Sequence, residues 1–285
     1  MDELTGRTAV VTGAGSGMGR AFANRFAAAG MQVVLADIEQ VALNDAVAEI
    51  TGTGAKAVGV VMDAADEQAN RELFDTTIDN FGAANVVCLN AGVGGGGPIR
   101  ELTTRDWEWT LGVNLWGVIH GLQAFLNHLI DHGDGHVVIT SSIFGHLSNA
   151  GTAPYNVAKH GVATLAETLH HELRDEGSTV GVTCLCPGMV NTRILESERN
   201  RPEQLMNVNP RERTAEEEAR REIAAEFFSQ AKPPAEVADQ VHDAILNNQF
   251  WLFTDEDFTP NINLRHDDIE QRRAPSPFGG LVDAE

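Results

Sequence analysis

The stretch from Arg7 to Asp37, RTAVVTGAGSGMGRAFANRFAAAGMQVVLAD, decides the fold. It opens with a short apolar run, RTAVVT, which is typical of a buried β-strand. A glycine-rich turn follows, and the apolar residues of AFANRFAAAG then recur at helical spacing. A second apolar run, MQVVLAD, ends on Asp37. The stretch therefore predicts a strand, a helix and a second strand, the repeating unit of a parallel sheet.

The turn between the first strand and the helix has the sequence G13-A-G-S-G17-M-G19. A turn of this kind presents backbone N–H groups and a positive helix end, where a pyrophosphate can bind. Its spacing is T-G-x-x-x-G-x-G rather than G-x-G-x-x-G, because Met18 and Arg20 occupy the places of the third glycine. The alternative interpretation is a plain glycine-rich turn.

Asp37 ends the second predicted strand, about 20 residues past the turn. A carboxylate there can accept hydrogen bonds from the two ribose hydroxyls of an adenosine and would repel a 2′-phosphate. Neither Ser16 nor Ile38 offers a cation that would compensate. Asp37 therefore favours NAD over NADP, although it could also be the N-cap of a helix over residues 40–50.

Apolar runs and helical segments continue to alternate along the chain. Further strands are predicted in KAVGVVMD, NVVCLNAG, HVVITSS and TVGVTCLCPG, and helices over 67–81, 103–131 and 152–176. This alternation predicts a single α/β domain with a doubly wound parallel sheet and helices on both faces. Ligands bind to such sheets at the carboxyl ends of the strands, where the polar motifs of this chain lie.

The only tyrosine of the chain, Tyr155, stands thirteen residues after Ser142 and four before Lys159. On a helix that begins near Thr152, the ammonium of Lys159 would lie one turn from the phenol and lower its pKa from roughly 10. Such a phenol can give a proton to a carbonyl oxygen or take one from an alcohol, with Ser142 hydrogen-bonded to the same oxygen. The alternative is an ordinary half-buried aromatic side chain, because short motifs such as Y-x-x-x-K recur freely.

Over residues 5 to about 195 the chain resembles the short-chain dehydrogenase/reductase family in its motifs, their order and their spacing. The matching elements are T12-G-A-G-S-G-M-G19, Asp63, N90-A-G92, Asn114 in VNLWG, Ser142, Y155-N-V-A-K159 and P187-G-M-V-N-T192. The resemblance implies a Rossmann-like fold and an NAD-dependent oxidoreductase.

The same resemblance implies roles for individual residues. Tyr155 would be the acid/base, Lys159 would lower its pKa and bind the nicotinamide ribose, and Ser142 would position the substrate oxygen. Asn114 would hold a water for proton relay. Tyr155 and Lys159 would also contact the cofactor. The other cofactor contacts would come from Gly13, Ser16, Gly17, Met18, Asp37, Ile38, Asp63, Ala64, Asn90, Ala91, Gly92, Pro187, Gly188, Val190 and Thr192.

Two peripheral regions are predicted around this core of residues 5–191. Residues 192–232, called the lid segment below, are rich in charged residues and include a predicted helix over 214–230. The lid segment would close over the substrate. Ile194 and Leu195 would lie on its apolar underside or be in ordinary packing. A last helix and strand lie in 233–254. The C-terminal extension, residues 255–285, would wrap a neighbouring subunit or be partly disordered.

Two smaller features bear on the site. His146 is predicted to line the substrate pocket because it follows Ser142 by four residues. The run G92-VGGGG-P98 is interpreted as a flexible connection that keeps backbone close to the nicotinamide. The other histidines, including His128 and His132 at i,i+4 spacing, are interpreted as surface residues rather than metal ligands, because no carboxylate or cysteine completes a ligand set.

Composition limits the partners. The net charge of −21, from 41 acidic and 20 basic residues, would repel nucleic acid and anionic membranes. The first strand leaves no room for a signal peptide, and no apolar run approaches membrane-spanning length, so a cytoplasmic location is expected. Three cysteines, Cys88, Cys184 and Cys186, are expected to be reduced core residues. We also expect a homo-oligomer, a tetramer or a dimer.

The expected reaction is the interconversion of a bulky secondary alcohol and its ketone. A long, partly apolar lid suits a bulky hydrophobic alcohol better than an acyl-carrier arm. The alternatives are a reductase of 3-oxoacyl thioesters on an acyl carrier protein or CoA and, from another class, a non-catalytic NAD(H)-sensing binding protein.

Overall fold

A computed structural model describes residues 1, 3–209 and 214–277, without the side chains of residues 217 and 220. In these ranges seven parallel strands form one sheet in the order β3-β2-β1-β4-β5-β6-β7. The strands are β1 Thr8–Thr12, β2 Gln32–Asp37, β3 Ala57–Val61, β4 Val86–Leu89, β5 His136–Thr140, β6 Gly181–Cys186 and β7 Trp251–Phe253. The strand order reverses between β1 and β4, which opens a crevice at their carboxyl ends. The predicted fold class is confirmed.

Helices cover both faces of the sheet. They are α1 Gly17–Ala28, α2 Gln40–Gly52, α3 Glu67–Phe81, α4 Thr104–Leu111, α5 Gly117–His132, α6 Ala153–Asp175, α7 Ala215–Ser229, α8 Pro234–Leu246 and α9 Thr259–Glu270. One apolar core lies between the sheet and α1, α2 and α8, and contains Phe22 and Val241. The other lies under α3, α5 and α6, and contains Phe125 and Val162. Because both faces of the five inner strands are buried, the sequences of these strands are nearly continuous apolar runs.

Two regions differ from the simple pattern. The predicted helix over 103–131 is interrupted by a π-helical turn, Gly112–Trp116, which joins α4 to α5. The described part of the C-terminal extension forms α9 and packs on its own chain, since a methyl group on Gly188 would lie 2.8 Å from Phe258. Residues 278–285 of that extension lie outside the described residues. Within the described ranges, no helix is both long and apolar enough to cross a membrane.

Candidate active site

A cleft of about 680 Å³ opens at the carboxyl edge of the sheet. The predicted cofactor residues all line it, together with Ser142, Ile194 and Leu195. Asn114 and His146 are the two predicted site residues that do not line the cleft. The strand-end motifs, which are far apart in sequence, are therefore brought to one surface.

Tyr155 and Lys159 lie one turn apart on α6, as predicted. The Lys159 Nζ lies 5.7 Å from the centroid of the Tyr155 ring and donates a hydrogen bond of 2.8 Å to the carbonyl oxygen of Thr140. Ser142 follows β5 and is hydrogen-bonded to the Tyr155 side chain. These three side chains place a phenol, a hydroxyl and a buried amine beside one another in the cleft.

The expectation of a lowered tyrosine pKa is wrong for the protein without cofactor. Burial raises the pKa of Tyr155, and the hydrogen bond from Ser142 opposes this only in part. The ammonium of Lys159 lies over the ring and is hydrogen-bonded to Thr140 rather than to the phenolic oxygen. Burial also lowers the pKa of Lys159 to about 8. Desolvation therefore favours the neutral form of both groups.

Asn114 lies behind the cleft wall and is completely buried. Its Oδ1 accepts a hydrogen bond from the Val93 N–H, and its Nδ2 donates one to the Val93 carbonyl oxygen, both at 2.8 Å. The π-helical turn that carries Asn114 is a feature often found at functional sites. The side chain therefore fixes the strand-end segment next to Lys159, whereas the predicted water contact remains a prediction.

The glycine turn after β1 fits a pyrophosphate. Gly13 and Gly17 have φ angles of +68° and +53°, and a Cβ on Gly19 would lie 2.1 Å from the Gly13 carbonyl oxygen. Helix α1 begins at Gly17 with Ser16 as N-cap, whose side chain makes no capping hydrogen bond, and its first turn contains no acidic residue. The helix N-terminus therefore has N–H groups and a positive dipole end available for an anion.

The Asp37 carboxylate lies beside this turn. Its Oδ2 accepts a hydrogen bond from the Gly15 N–H at 2.8 Å, and its Oδ1 accepts one from the Glu39 N–H at 2.9 Å. Each carboxylate oxygen can accept a second hydrogen bond, so both remain able to bind a ribose hydroxyl. The N-cap of α2 is Glu39 rather than Asp37, yet Asp37 satisfies a backbone donor just before that helix.

Thr12 and Thr140 were not predicted as site residues, but their hydroxyls form hydrogen bonds at the carboxyl edge of the sheet. The Thr12 hydroxyl accepts hydrogen bonds from the N–H groups of Asn90 and Ala91, at 2.9 and 3.0 Å. The Asn90 side chain donates to the Thr12 carbonyl oxygen and accepts from the Thr140 hydroxyl. The signal for this network was a threonine at the last position of both β1 and β5.

His146 turns away from the cleft, so its predicted place in the substrate pocket is wrong. Its ring packs at 5.0 Å from Trp251 and 5.3 Å from Phe253, and its Nε2 lies 3.4 Å from Cys186 Sγ. Burial lowers the pKa of His146 to about 4. The direction of the His146 side chain could not be predicted from its spacing to Ser142, because that direction depends on the 3-10 turn at 143–145.

The glycine run at 94–97 is closely packed, in contrast to the predicted flexible connection. A Cβ on Gly95 would lie 2.4 Å from Thr110 Oγ1, and one on Gly96 would lie 2.1 Å from the Gly151 carbonyl oxygen. The run therefore forms part of the cleft wall, where glycine is required because no side chain fits.

The lid segment contributes polar as well as apolar residues to the cleft. Arg199 and Asn200, which were not predicted as site residues, line it together with Glu39. Further along, the Arg201 guanidinium lies 2.8 Å from Asp106 Oδ1 and 5.1 Å from the Trp109 ring. The sequence showed that this segment is rich in charged residues, but it did not show which residues elsewhere in the chain they contact.

The remaining titratable groups form no alternative centre among the described residues. Cys88, Cys184 and Cys186 are buried free thiols. His128 and His132 stack with ring centroids 5.6 Å apart, and the His128 ring accepts a hydrogen bond from the Ala84 N–H. Within the described ranges, no group of three histidine, cysteine or acidic side chains is placed to hold a metal ion.

Fold and site together match known proteins. The family model for short chain dehydrogenases matches residues 7–203. The chain is 36% identical to the 1-deoxy-11-beta-hydroxypentalenate dehydrogenase of Streptomyces avermitilis over 274 residues, 95% of this chain and 93% of that protein. It is 37% identical to the C alpha-dehydrogenase of a Sphingobium strain over 204 residues, 71% of this chain and 66% of that protein.

A solved structure agrees along almost the whole chain. A short chain dehydrogenase/reductase from Burkholderia phymatum in complex with NAD superimposes with a TM-score of 0.94 at 38% identity, covering 99% of this chain and 100% of that one. The protein belongs to the short-chain dehydrogenase/reductase family. It is an oxidoreductase of that family.

Proposed function

We propose that the protein is an NAD-dependent oxidoreductase that interconverts a bulky secondary alcohol and its ketone. The observation that carries the proposal is the joint position of Ser142, Tyr155 and Lys159 in a cleft that also contains Asp37 and the glycine turn. A dinucleotide that binds Asp37 through its adenosine ribose would have its nicotinamide near the three polar side chains. When bound, it would accept the hydride that leaves the carbinol carbon.

The side chains of the chain would handle the proton. In alcohol oxidation the Tyr155 phenolate takes the hydroxyl proton, and in ketone reduction the phenol returns a proton to the carbonyl oxygen. The Ser142 hydroxyl donates a hydrogen bond to the same oxygen and so fixes its position. Lys159, when protonated, stabilises the phenolate across the ring face at 5.7 Å.

Asp37 supports NAD as the cofactor. Its carboxylate would repel a 2′-phosphate, and the two arginines that approach this end of the cleft, Arg193 and Arg199, are paired with Glu196 and Glu39. Glu39 accepts hydrogen bonds from Arg199 and lies 3.8 Å from Arg193. The NAD complex of the similar Burkholderia phymatum protein supports the same assignment.

The apolar wall of the cleft supports a bulky substrate. Large apolar side chains from the core and the lid segment line it: Trp109, Ile143, Phe144, Met189, Leu195 and Phe228. The hydroxyl named in the substrate of the Streptomyces avermitilis relative is consistent with oxidation of an alcohol on a multi-carbon skeleton.

A 3-oxoacyl thioester reductase is the alternative enzyme. An acidic carrier protein would need a basic patch beside the cleft, because the net charge of the chain is −21. Arg193, Arg199 and Arg201 all pair with carboxylates of the chain. Arg211 and Arg213, which also belong to the lid segment, lie outside the described residues. The paired arginines favour a small-molecule alcohol.

A non-catalytic NAD(H)-sensing protein is the alternative from another class. Such a protein has no need of a phenol, hydroxyl and amine arranged around one position, so the intact set disfavours it. A cytoplasmic location and a homo-oligomeric state, tetramer or dimer, stay predictions from the sequence.

A substrate panel tests the proposal. Aliphatic, aryl, terpenoid and steroid secondary alcohols would be incubated with NAD or NADP, and 3-oxoacyl-CoA with NADH or NADPH, while reduced cofactor is followed by absorbance. We expect the highest kcat/KM with a bulky alcohol and NAD. Better turnover of thioesters than of every alcohol would favour the reductase, and no turnover with retained NADH binding would favour the sensor.

A further inference from the structure

Glu39 receives several polar contacts from the lid segment. Its Oε1 accepts hydrogen bonds from Arg199 Nε at 3.0 Å, from Arg199 Nη2 at 2.7 Å and from Asn200 Nδ2 at 3.0 Å. The Arg193 guanidinium lies 3.8 Å from Glu39 Oε2. The side chains of Glu39 and Arg199 are only 26% and 25% exposed. The lid segment is thus linked to the start of α2 by charge-assisted hydrogen bonds.

The position of Glu39 connects this link to the cofactor end of the cleft. Its backbone N–H donates to Asp37 Oδ1 at 2.9 Å, and the other Asp37 oxygen accepts from the glycine turn. The backbone of Glu39 therefore orients the carboxylate proposed to bind ribose, while its side chain binds the lid segment. Asp37, Glu39 and Arg199 line the same cleft.

The lid segment spans the cleft between separate attachments. It starts beside the glycine turn, where a Cβ on Gly17 would lie 3.1 Å from Thr192 Cγ2. Five residues further on, Ser197 Oγ accepts a hydrogen bond from the Gly94 N–H at 2.9 Å. The next attachment, Arg201 to Asp106, is buried, with Arg201 5% exposed. The Glu39 link lies between the Ser197 and Arg201 attachments in sequence, and its two side chains are more exposed than Arg201.

We propose that Glu39 is a positioning residue that holds the lid segment closed over the adenosine end of the bound cofactor, so that cofactor release requires the Glu39–Arg199 contact to open. This inference rests on the proposed NAD binding. A dinucleotide reaching from Asp37 towards Tyr155 occupies a cleft whose lining includes residues 192–195 and 197–200. The Arg199–Glu39 contact lies beside Asp37, at the end of this cleft that would hold the adenosine.

The charge state of Glu39 is consistent with such a link. The hydrogen bond from Arg199 lowers the pKa of the Glu39 carboxyl, with Asn200 and the charge of Arg193 acting in the same direction. The carboxylate is therefore ionised at neutral pH. Because solvent reaches the pair, its contribution is modest and falls as salt is added, which suits a contact that must open in every turnover.

Two comparable carboxylates, Glu39 at the N-cap of α2 and Glu49 within that helix, allow a direct test. Glu49 binds Arg20 Nε at 2.9 Å and Asn24 Nδ2 at 2.9 Å, a similar arginine-and-asparagine arrangement that does not line the cleft. The rate constant for NADH dissociation would be measured by stopped-flow fluorescence after displacement with excess NAD. Glu39→Gln and Arg199→Met should each raise it about fivefold or more. Glu49→Gln should leave it unchanged.

The double variant Glu39→Gln/Arg199→Met shows whether the two residues act through one contact or affect NADH release independently. If the two residues act through one contact, the double variant should release NADH no faster than the faster single variant. Multiplied effects of the two substitutions, unchanged release in Glu39→Gln, or equal acceleration in Glu49→Gln would each overturn the inference.

Proteolysis provides a readout that needs no catalysis. Thermolysin cleavage within residues 193–209 should be slowed by NADH in the original protein and slowed much less in Glu39→Gln. Equal protection of both proteins would contradict the closing role. Failure of the original protein to bind NADH at all would instead refute the proposed function, so the two failures are distinguishable.

Discussion

The carboxyl edge of the sheet and the lid segment line the same cleft but are held by different interactions. At the edge, candidate catalytic side chains are buried and hydrogen-bonded to backbone: Lys159 is 3% exposed and Asn114 is fully buried. In the lid segment one ion pair, Arg201–Asp106, is buried, but Arg193 pairs with Glu196 at 48% and 59% exposure, and Ile223 is 48% exposed. Buried, directional bonds fix atoms closely, whereas exposed charge pairs are screened and open readily.

This difference matches what the proposed function would require of each region. Proton transfer requires the phenol and the substrate oxygen to be within hydrogen-bond distance, so Ser142 and Tyr155 belong to the rigid edge. Entry of a bulky substrate and release of cofactor require a segment that opens at low free-energy cost. Substitutions at the edge should therefore affect the chemical step most, and substitutions in the lid segment should affect binding.

The largest effect is expected at the edge, from Tyr155→Phe. The change removes only the hydroxyl proposed to transfer the proton, so kcat should fall about a thousandfold. NADH affinity and Tm should stay close to those of the original protein, which fluorescence titration and thermal unfolding would check. An active phenylalanine variant would show that another residue is the acid.

Gly19→Ala tests how rigid the glycine turn is. The new Cβ would lie 2.1 Å from the Gly13 carbonyl oxygen, so the turn has to shift. We expect NADH affinity to fall about thirtyfold and stability to fall by about 1–3 kcal/mol. Gly52→Ala on α2 is the control, since its Cβ would meet no atom within 4 Å and helix propensity favours alanine. Equal NADH affinity in the two variants would argue against a tight turn.

Asp37→Ala tests the preference for NAD over NADP. In the original protein we expect NAD to exceed NADP in kcat/KM by more than about tenfold, because the carboxylate repels a 2′-phosphate. The variant should narrow this ratio, and Asp45→Ala on the exposed side of α2 should not. Equal or better catalysis with NADP in the original protein would refute the assignment of NAD.

Two adjacent phenylalanines test the lid segment. Phe228 lines the cleft, whereas Phe227 is 48% exposed and does not line it. Phe228→Ala should raise KM for a bulky alcohol about fivefold through lost apolar contact, with kcat nearly unchanged. Phe227→Ala should leave KM unchanged. A large fall in kcat for Phe228→Ala would place this side chain among the groups that fix the reacting atoms.

The smallest expected effect is a shift in the pKa of Tyr155. Because burial raises the pKa of Tyr155, the tyrosinate absorbance of the cofactor-free protein should appear above the pH expected for a free tyrosine. Ser142→Ala should move the midpoint higher, since the serine hydrogen bond lowers this pKa. Tyr155→Phe is the blank, as the chain contains no other tyrosine. A midpoint below the free value would mean that Lys159 outweighs desolvation.

The predictions from sequence succeeded where the signal is contiguous. The predicted helix over 67–81 coincides with α3, the six predicted apolar runs contain β1 to β6, and β7 lies within the predicted segment 233–254. Tyr155 and Lys159 lie together because four residues make about one turn of a helix. The predicted cofactor residues line one cleft because the carboxyl ends of parallel strands meet at one edge.

Predictions failed where the answer depends on which segments pack together. The place of His146 was wrong because a short 3-10 turn directs its ring towards β6 and β7. The glycine run was interpreted as flexible because its neighbours, Thr110 and Gly151, are distant in sequence. The Tyr155 pKa was expected to fall because the proximity of Lys159 could be predicted, whereas the extent of burial could not.

By itself, the sequence determined the parallel sheet, the glycine turn, the Ser142–Tyr155–Lys159 group and the carboxylate at Asp37. These depend on hydrophobic period and on short spacings, which are properties of neighbouring residues. Only the tertiary structure decided the backbone partner of Asn114, the direction of His146 and the contact of Glu39 with Arg199, 160 residues apart. Desolvation and long-range pairing arise only when distant segments pack, and one sequence carries no local signal for them.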